Sequence, residues 1–550
     1  MTTGTTTLGQ PPPDTFTSRI LLGALRDPML RRPPPGTPFY NAPPEDPHHG
    51  VSPLESPKTP PAIHPKMGVP FLTSAPSDYC PNPPDAFPKI PRQDSPLGLG
   101  PPSPPKFWGP VQPLLFPAEV LVPSSVGTIR EALVRHWGDW LGRPSSYLGS
   151  LVSRGGRDLA LGGPCPGWRQ QRGAVRGALA RAGGRLGPLL WLQGQELCEE
   201  LRSHGEAPLD PSEVFTFHTC STIARLLFGD LVPPPGELRA FSRCLGELLQ
   251  VWGRSSVQVL DLLPLLRALP NPGLRKLLQL VQHRDAFVEA QIQRHQACPS
   301  PPVDTVLGAL LGRNSGARGG PLSPPRLHMA LVDLFIGGTE TTAAALGWAV
   351  AFLLHRPETQ HTCAPPVQLQ ARLRAELEGA QGPPGPGDMG RLPLLQATVS
   401  ETLRLRPPAP LALPHCALRH TSLGGLPVVA GTVLVPNLLA AQQDPDIWQH
   451  PEVFLPERFL APGAPARSLL PFGCGARSCP GEGLARAELF VFLGLILREF
   501  RVSAEREDPI YLLPVKFILL TPSCKSRVFL EPPKLRNLSP VYMDFLSFPL

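Results

Sequence analysis

The sequence predicts a mainly α-helical chain with a small β-sheet region, set behind a long proline-rich leader. Two observations carry that expectation. From about residue 126 onward, apolar residues recur at helical spacing in segment after segment, and β-branched alternation is confined to one short stretch. Before that point the texture differs, because 29 of the 77 prolines fall within the first 110 residues. Proline removes a backbone donor and fixes φ, so neither helix nor sheet propagates through such a stretch.

The elements follow in order. Residues 1–105 read as a disordered leader. Helical spacing of apolar residues marks 128–141, 197–204, 214–228 and 238–251. A long helix is expected over 274–295, opened by the turn Pro270-Asn271-Pro272-Gly273. The Gly/Pro/Ser-rich stretch 311–325 reads as a loop. A long apolar helix over 326–355 carries Gly337 and Gly338 in its middle. Another spans 392–406 and stops at Pro407-Pro408. Alternation over 426–436 suggests strands, and 484–500 is apolar on nearly all sides, hence a buried helix.

Bulk properties exclude several classes. The net charge is +7 without a dense Lys/Arg run, which is no nucleic-acid signature. A basic face suits an acidic partner or an anionic membrane surface, and ordinary solvated charge explains it equally well. The 11 cysteines are scattered, with no CxxC pair, which argues against a disulfide framework and a structural zinc site. The start MTTGTTTLGQPPP has neither the basic region nor the apolar core of a signal peptide. No run of 18 apolar residues occurs, so no membrane-spanning helix is expected.

The sharpest chemical signal is Pro471-Phe472-Gly473-Cys474-Gly475-Ala476-Arg477-Ser478-Cys479-Pro480-Gly481, which matches F-x-x-G-x-R-x-C-x-G. Glycines let a backbone approach a flat macrocycle, and a cysteine just before a helix gains backbone N–H groups that favour its thiolate. Such a thiolate can hold an iron, and Cys479 is the candidate ligand; Cys474 reads as an inert buried thiol. Gly337-Gly338-Thr339-Glu340-Thr341-Thr342 is the second signal. Two glycines in a helix interior cost about 1 kcal/mol each against Ala, which suggests a local opening of the helix. Glu340 and Thr341 beside it suit proton delivery; two shorter helices broken at the glycines fit equally well. Third, Glu401 and Arg404 at i,i+3 share a helix face. Alone this is an ordinary ion pair, and Arg458 of Pro456-Glu457-Arg458-Phe459 could complete a buried network.

These patterns, in this order, resemble those of the cytochrome P-450 family, so the chain is expected to adopt the cytochrome P-450 fold, with haem between the helix of Glu340 and the Cys479 loop helix. The resemblance implies haem b with Cys479 as axial ligand. Trp168-Arg169-Gln170-Gln171-Arg172 resembles the family's W-x-x-x-R, which puts Trp168 and Arg172 at a haem propionate. Leu413-Pro414-His415 and Leu141-Gly142-Arg143-Pro144 resemble further propionate contacts through His415 and Arg143, and Arg477 joins them. Glu401, Arg404 and Arg458 would brace the haem loop. Within the family the wording is most similar to the steroid hydroxylases that act at C21, over 151–163, 268–277, 329–358, 391–415 and 471–493. That likeness implies progesterone and 17-hydroxyprogesterone as substrates, O₂ as oxidant and electrons from a separate NADPH-dependent flavoprotein reductase. It places the protein on the endoplasmic reticulum membrane. It implies that Arg267 donates to the steroid 3-ketone and that Asp333 faces the other end of the steroid, with Thr341 and Glu340 as the catalytic pair.

The likeness covers about residues 106–502 and leaves three departures. The leader stands where the family carries a membrane anchor. The stretch 361–368, with Pro365-Pro366, reads as an insertion into one helix. From about Ser503 to residue 550 the tail diverges. Another steroid or xenobiotic hydroxylase of the same family, or a damaged, non-catalytic haem protein, are the competing readings.

Overall fold

The structure, a computed structural model, describes residues 119–205, 209–302, 304–312, 321–354, 366–380, 382–504 and 528–531. The leader 1–105, most of 361–368 and most of the tail lie outside the described residues.

The chain enters on β1 (Val120–Leu121) and α1 (Val126–Arg130), which runs on as a π turn, Glu131–Arg135. Ser125 caps α1 by accepting from the Thr128 N–H at 3.2 Å. The helix expected to reach residue 141 therefore ends six residues early. The segment that follows turns back at Gly138 and brings Gly142 against Cys416 as an isolated antiparallel bridge. Next come α2 (Tyr147–Val152), α3 (Pro166–Ala182) and α4 (Leu186–Ser203). Pro166 occupies the first turn of α3, where its missing N–H costs nothing, and Cys165 caps it through sulfur. Four further helices follow: α5 (Ser212–Phe228), α6 (Pro235–Trp252), α7 (Ser255–Leu262) and α8 (Pro272–Ala297). Asn271 caps α8 by accepting from the Leu274 N–H at 2.9 Å.

After α9 (Val306–Leu310) comes the longest helix, α10 (Pro324–Leu354), then α11 (Pro366–Gly379) and α12 (Pro393–Leu405). The strands β2 (His415–Cys416), β3 (Thr421–Leu423), β4 (Leu426–Val428) and β5 (Val433–Leu434) precede α13 (Leu438–Ala441). β5 lies between β1, parallel to it, and β2, antiparallel to it, with His415 opposite Leu434. β3 and β4 form a hairpin. The chain then runs through the Cys479 loop into α14 (Glu482–Glu499) and β6 (Arg501–Ala504), which pairs antiparallel with β7 (Val528–Glu531).

α10 ties two hydrophobic cores together. Its first half, Leu327 to Phe335, packs with α3, α5, α6 and α8; Phe335 meets the stacked pair Phe241 and Phe287. Its second half, Ala343 to Leu353, packs with α4, α11, α12 and α14. Gly337 and Gly338 sit between the halves, and α10 is continuous through them, so the expected opening does not occur. Packing explains Gly338: a Cβ there would lie 2.4 Å from Ile223 Cδ1 of α5. The glycine permits close approach of two helices. α10 is also long and apolar enough to cross a membrane, although it holds no unbroken run of 18 apolar residues. However, 67% of its most apolar stretch is buried inside the protein, as befits a core helix.

Candidate haem-thiolate site

The Cys479 loop is shaped by its backbone. Gly475 has φ +75°, and a Cβ there would strike the Leu133 carbonyl at 1.8 Å, so no other residue fits. A 3-10 turn, Gly475–Arg477, follows, and the Cys479 N–H closes the loop onto the Phe472 carbonyl at 2.9 Å. Cys479 is exposed, and no other described cysteine is. Its thiol is reachable yet walled by protein atoms. Those atoms push its pKa up, Glu482 adds to the rise, and the Gly481 N–H and Arg172 pull against it. A metal ion on the sulfur would reverse that balance outright. Cys474 is half-buried and its thiol is pushed up by burial.

Beside the loop stand three guanidiniums drawn from distant parts of the chain. Arg143 donates to the carbonyls of Ala160 (2.8 Å), Leu413 (2.9 Å) and Pro414 (2.6 Å). Arg477 donates to those of Leu141 (3.0 Å), Leu159 (3.2 Å) and Gly162 (2.7 Å). Arg172 reaches the Ser478 carbonyl at 2.6 Å. Arg477 and Arg172 also flank the Trp168 ring, at 4.2 and 5.7 Å. The Trp168 indole N–H is committed to the Leu159 carbonyl at 3.0 Å. Burial, and then the field of Arg172, lower the Arg477 pKa to about 10. Burial, and then Arg477, push Arg143 well down. His415 is held by the Trp140 carbonyl at 2.7 Å through Nδ1, and burial, then Arg143, depress it to about 3, so it is neutral.

Cations that depress one another while their hydrogen bonds go to carbonyls form a cradle for an anion. The buried indole N–H of Trp140 lacks a hydrogen-bond partner and lines the same small cavity as His415 and Arg477. A thiol beside such a cradle fits haem: an iron for Cys479 and two propionates for Arg143, Arg172 and Arg477. His415 and Trp140 are further polar neighbours.

On α10, Gly337 is exposed in an otherwise covered stretch, and the Thr341 hydroxyl donates to its carbonyl at 2.6 Å. Glu340 points toward α6, where a Cβ on Gly246 would lie 2.9 Å from its Oε1, and burial pushes its carboxyl up. Asp333 Oδ2 accepts from the Leu159 N–H at 2.7 Å. Arg267 lies in the short 3-10 turn Pro264–Ala268; its Nε donates to the Leu260 carbonyl at 2.8 Å and its guanidinium covers the Tyr147 ring at 4.4 Å.

Glu401 and Arg404 are fully buried and pair bidentately at 2.7 and 2.9 Å. Arg458 Nε joins Glu401 at 3.1 Å, as does the Leu455 N–H at 2.8 Å. Arg404 also takes the carbonyls of Gln442, Pro451 and Val453. Gln442, which no spacing in the sequence singles out, links this network to the Cys479 loop. It donates to the Leu403 and Arg404 carbonyls and accepts from the Leu470 N–H at 2.9 Å. Asp158 was likewise missed; its Oδ2 accepts from the Leu161 N–H at 2.9 Å and shapes the turn that supplies carbonyls to Arg477.

Residues 115–527 match the family described as Cytochrome P450. Steroid 21-hydroxylase of Felis catus is 44% identical over 394 residues, 70% of this chain and 77% of the relative. Steroid 21-hydroxylase of Homo sapiens is 41% identical over 406 residues, 72% of this chain and 80% of the relative. A solved zebra fish cytochrome P450 with progesterone superposes with a TM-score of 0.65 at 32% identity, covering 76% of this chain and 95% of the other. With a family match through most of its length and relatives above 40% identity, the chain belongs to the cytochrome P450 family.

Proposed function

We propose that this protein is a steroid 21-monooxygenase acting on progesterone and 17-hydroxyprogesterone, a step of corticosteroid synthesis. One O₂, one NADPH and one proton would be consumed for each C21 hydroxyl and each water formed, with the two electrons passed by a separate flavoprotein reductase at the endoplasmic reticulum membrane. The observation that carries the reading is the 41–44% identity to relatives named steroid 21-hydroxylase over about 70% of the chain. The neighbouring structure that holds progesterone supports a steroid substrate.

Haem bound to Cys479 supplies the oxygen-activating redox chemistry. The protein's own residues do the rest. Arg143, Arg172 and Arg477 hold the propionates, with Trp168 and His415 packed among them. Burial raises the Glu340 pKa and so favours its protonated form, and Thr341 passes a proton on when its hydroxyl turns from the Gly337 carbonyl. Arg267 donates to the 3-ketone at the far end of the steroid, where one directed donor in an apolar pocket fixes orientation.

The test is the reduced carbon monoxide spectrum, followed by turnover of progesterone with a reductase. A red-shifted Soret band lost in Cys479→Ser, and 11-deoxycorticosterone as product, are expected. Hydroxylation elsewhere on the steroid, or none, would overturn the C21 assignment while the band stands. Arg267→Ala should weaken progesterone binding about tenfold, the worth of a directed hydrogen bond. Unchanged binding would remove Arg267 from the substrate site.

A further inference from the structure

Leu159 is held through both of its backbone polar groups. Its N–H donates to Asp333 Oδ2 of α10 at 2.7 Å, across 174 positions of sequence. Its carbonyl accepts from the Trp168 indole at 3.0 Å and from Arg477 Nη1 at 3.2 Å. The next residues continue the pattern. The Ala160 carbonyl takes Arg143 Nε at 2.8 Å, and the Gly162 carbonyl takes Arg477 Nη2 at 2.7 Å. Residues 159–162 thus form a short strip of acceptors that aims two of the three cradle guanidiniums. The contact from Asp333 is what ties that strip to the long core helix.

We propose that Asp333 is a positioning residue for the haem cradle: by fixing the Leu159 N–H it sets the register of the 159–162 carbonyls and so the aim of Arg143 and Arg477. The proposal rests on the reading that this cradle holds the haem propionates. It gives Asp333 a role that acts through main chain rather than through substrate. The surroundings favour a neutral acceptor at this point. Burial and the nearby carboxyl of Asp158 raise the Asp333 pKa well above the usual carboxylate range. A neutral carboxyl accepts from Leu159 N–H through its C=O oxygen, which asparagine can reproduce and alanine cannot.

The experiment uses the haem-loaded protein and its Asp333→Asn and Asp333→Ala variants. Hydrogen exchange is followed in the peptide spanning 154–163, haem loss is timed against an excess of a haem-scavenging apoprotein, and the haem reduction potential is measured. Asp333→Ala should speed both Leu159 exchange and haem loss about tenfold, the loss of one buried hydrogen bond. Its potential should fall, because cations displaced from the propionates no longer favour the reduced iron. Asp333→Asn should restore all three. Exchange and haem loss unchanged in Asp333→Ala would overturn the proposal. So would an Asn variant as impaired as the Ala variant, which would assign the effect to charge. Altered progesterone affinity with none of these changes would return Asp333 to the substrate site. If the wild type takes up no haem, the cradle reading fails, and the exchange arm still decides whether Asp333 holds Leu159.

Discussion

Glu488 sits on α14, nearly two helix turns after the Cys479 loop gives way to regular structure, and is 1% exposed. Burial, opposed by Thr222 of α5, pushes its carboxyl from an ordinary 4.5 up to about 8. Between those values the folded protein holds a proton that the unfolded chain has shed. The contribution of this group is therefore fully present below pH 4.5 and is lost as pH rises toward 8, by about 1.4 kcal/mol per unit. Glu488→Gln should erase that slope and gain about 1–3 kcal/mol over wild type at pH 7. Chemical denaturation of both proteins at pH 5 and pH 7 checks it; a difference that does not grow with pH would refute the assignment. The comparison between two proteins matters because His415 works the other way. Its value is depressed to about 3, so its contribution is present above its ordinary 6.5 and lost as pH falls. Thr341→Ala is the catalytic counterpart: oxygen consumed per hydroxylated product should rise, since the relay loses its hydroxyl. Unchanged coupling would mean that another group delivers the proton. Residues were legible in the sequence where spacing repeated a rule, as with Arg477 and Cys479 in one loop. Gln442 and Asp158 were not: a single polar residue has no period, Gln442 finds its partners far along the chain, and the turn that Asp158 shapes serves an arginine far along it.

At the scale of the element, α10 shows why two adjacent glycines need not mean the same thing. Gly338 faces Ile223, itself buried, whereas a Cβ on Gly337 would meet nothing within 4 Å. Gly338→Ala should destabilise by about 1–3 kcal/mol through overpacking against α5. Gly337→Ala should be neutral or stabilise by up to about 1 kcal/mol, the propensity gain of a helix interior. Thermal unfolding of the two variants separates them; equal effects would show that the glycines act on the helix rather than on its neighbours. The sequence cannot make this distinction, since propensity is a property of α10 and the clash belongs to α5. The long helices α5, α6, α8, α10, α12 and α14 were legible to within a few residues because their apolar faces repeat over many turns. α3 was not read as a helix, although Trp168 and Arg172 were singled out on it. Rich in Arg, Gly and Ala, it offers few apolar residues to mark a face: the stripe it buries, Trp168, Gln171, Arg172, Val175, Ala178 and Ala182, has helical spacing but is polar at two positions. The start of α4 was missed for a similar reason, with Gly187 and Pro188 in its first turn.

Across the whole molecule, the cradle joins parts of the chain that nothing else would bring together. Arg143 comes from the segment before α2, Arg172 from α3 and Arg477 from the Cys479 loop, and each depresses or is depressed by another. Gathering three buried or half-buried cations opposes folding, and a ligand bearing two carboxylates offsets that cost, so haem uptake is coupled to stability. Haem should therefore raise the unfolding temperature of the apoprotein, and the increment should shrink at high salt to the extent that the cradle remains reachable by ions. The double variant Arg143→Gln, Arg477→Gln isolates the electrostatic part. Both its forms lose the same hydrogen bonds to carbonyls, so that loss cancels when the haem-bound form is compared with the haem-free one. What remains is the guanidinium–propionate interaction, worth about 1.5–3 kcal/mol for each charged hydrogen bond. Calorimetry of the four species should show a clearly smaller haem increment in the variant. An increment equal to wild type would mean that Cys479 and the apolar walls hold the haem unaided, and that the three arginines serve the loops whose carbonyls they bind.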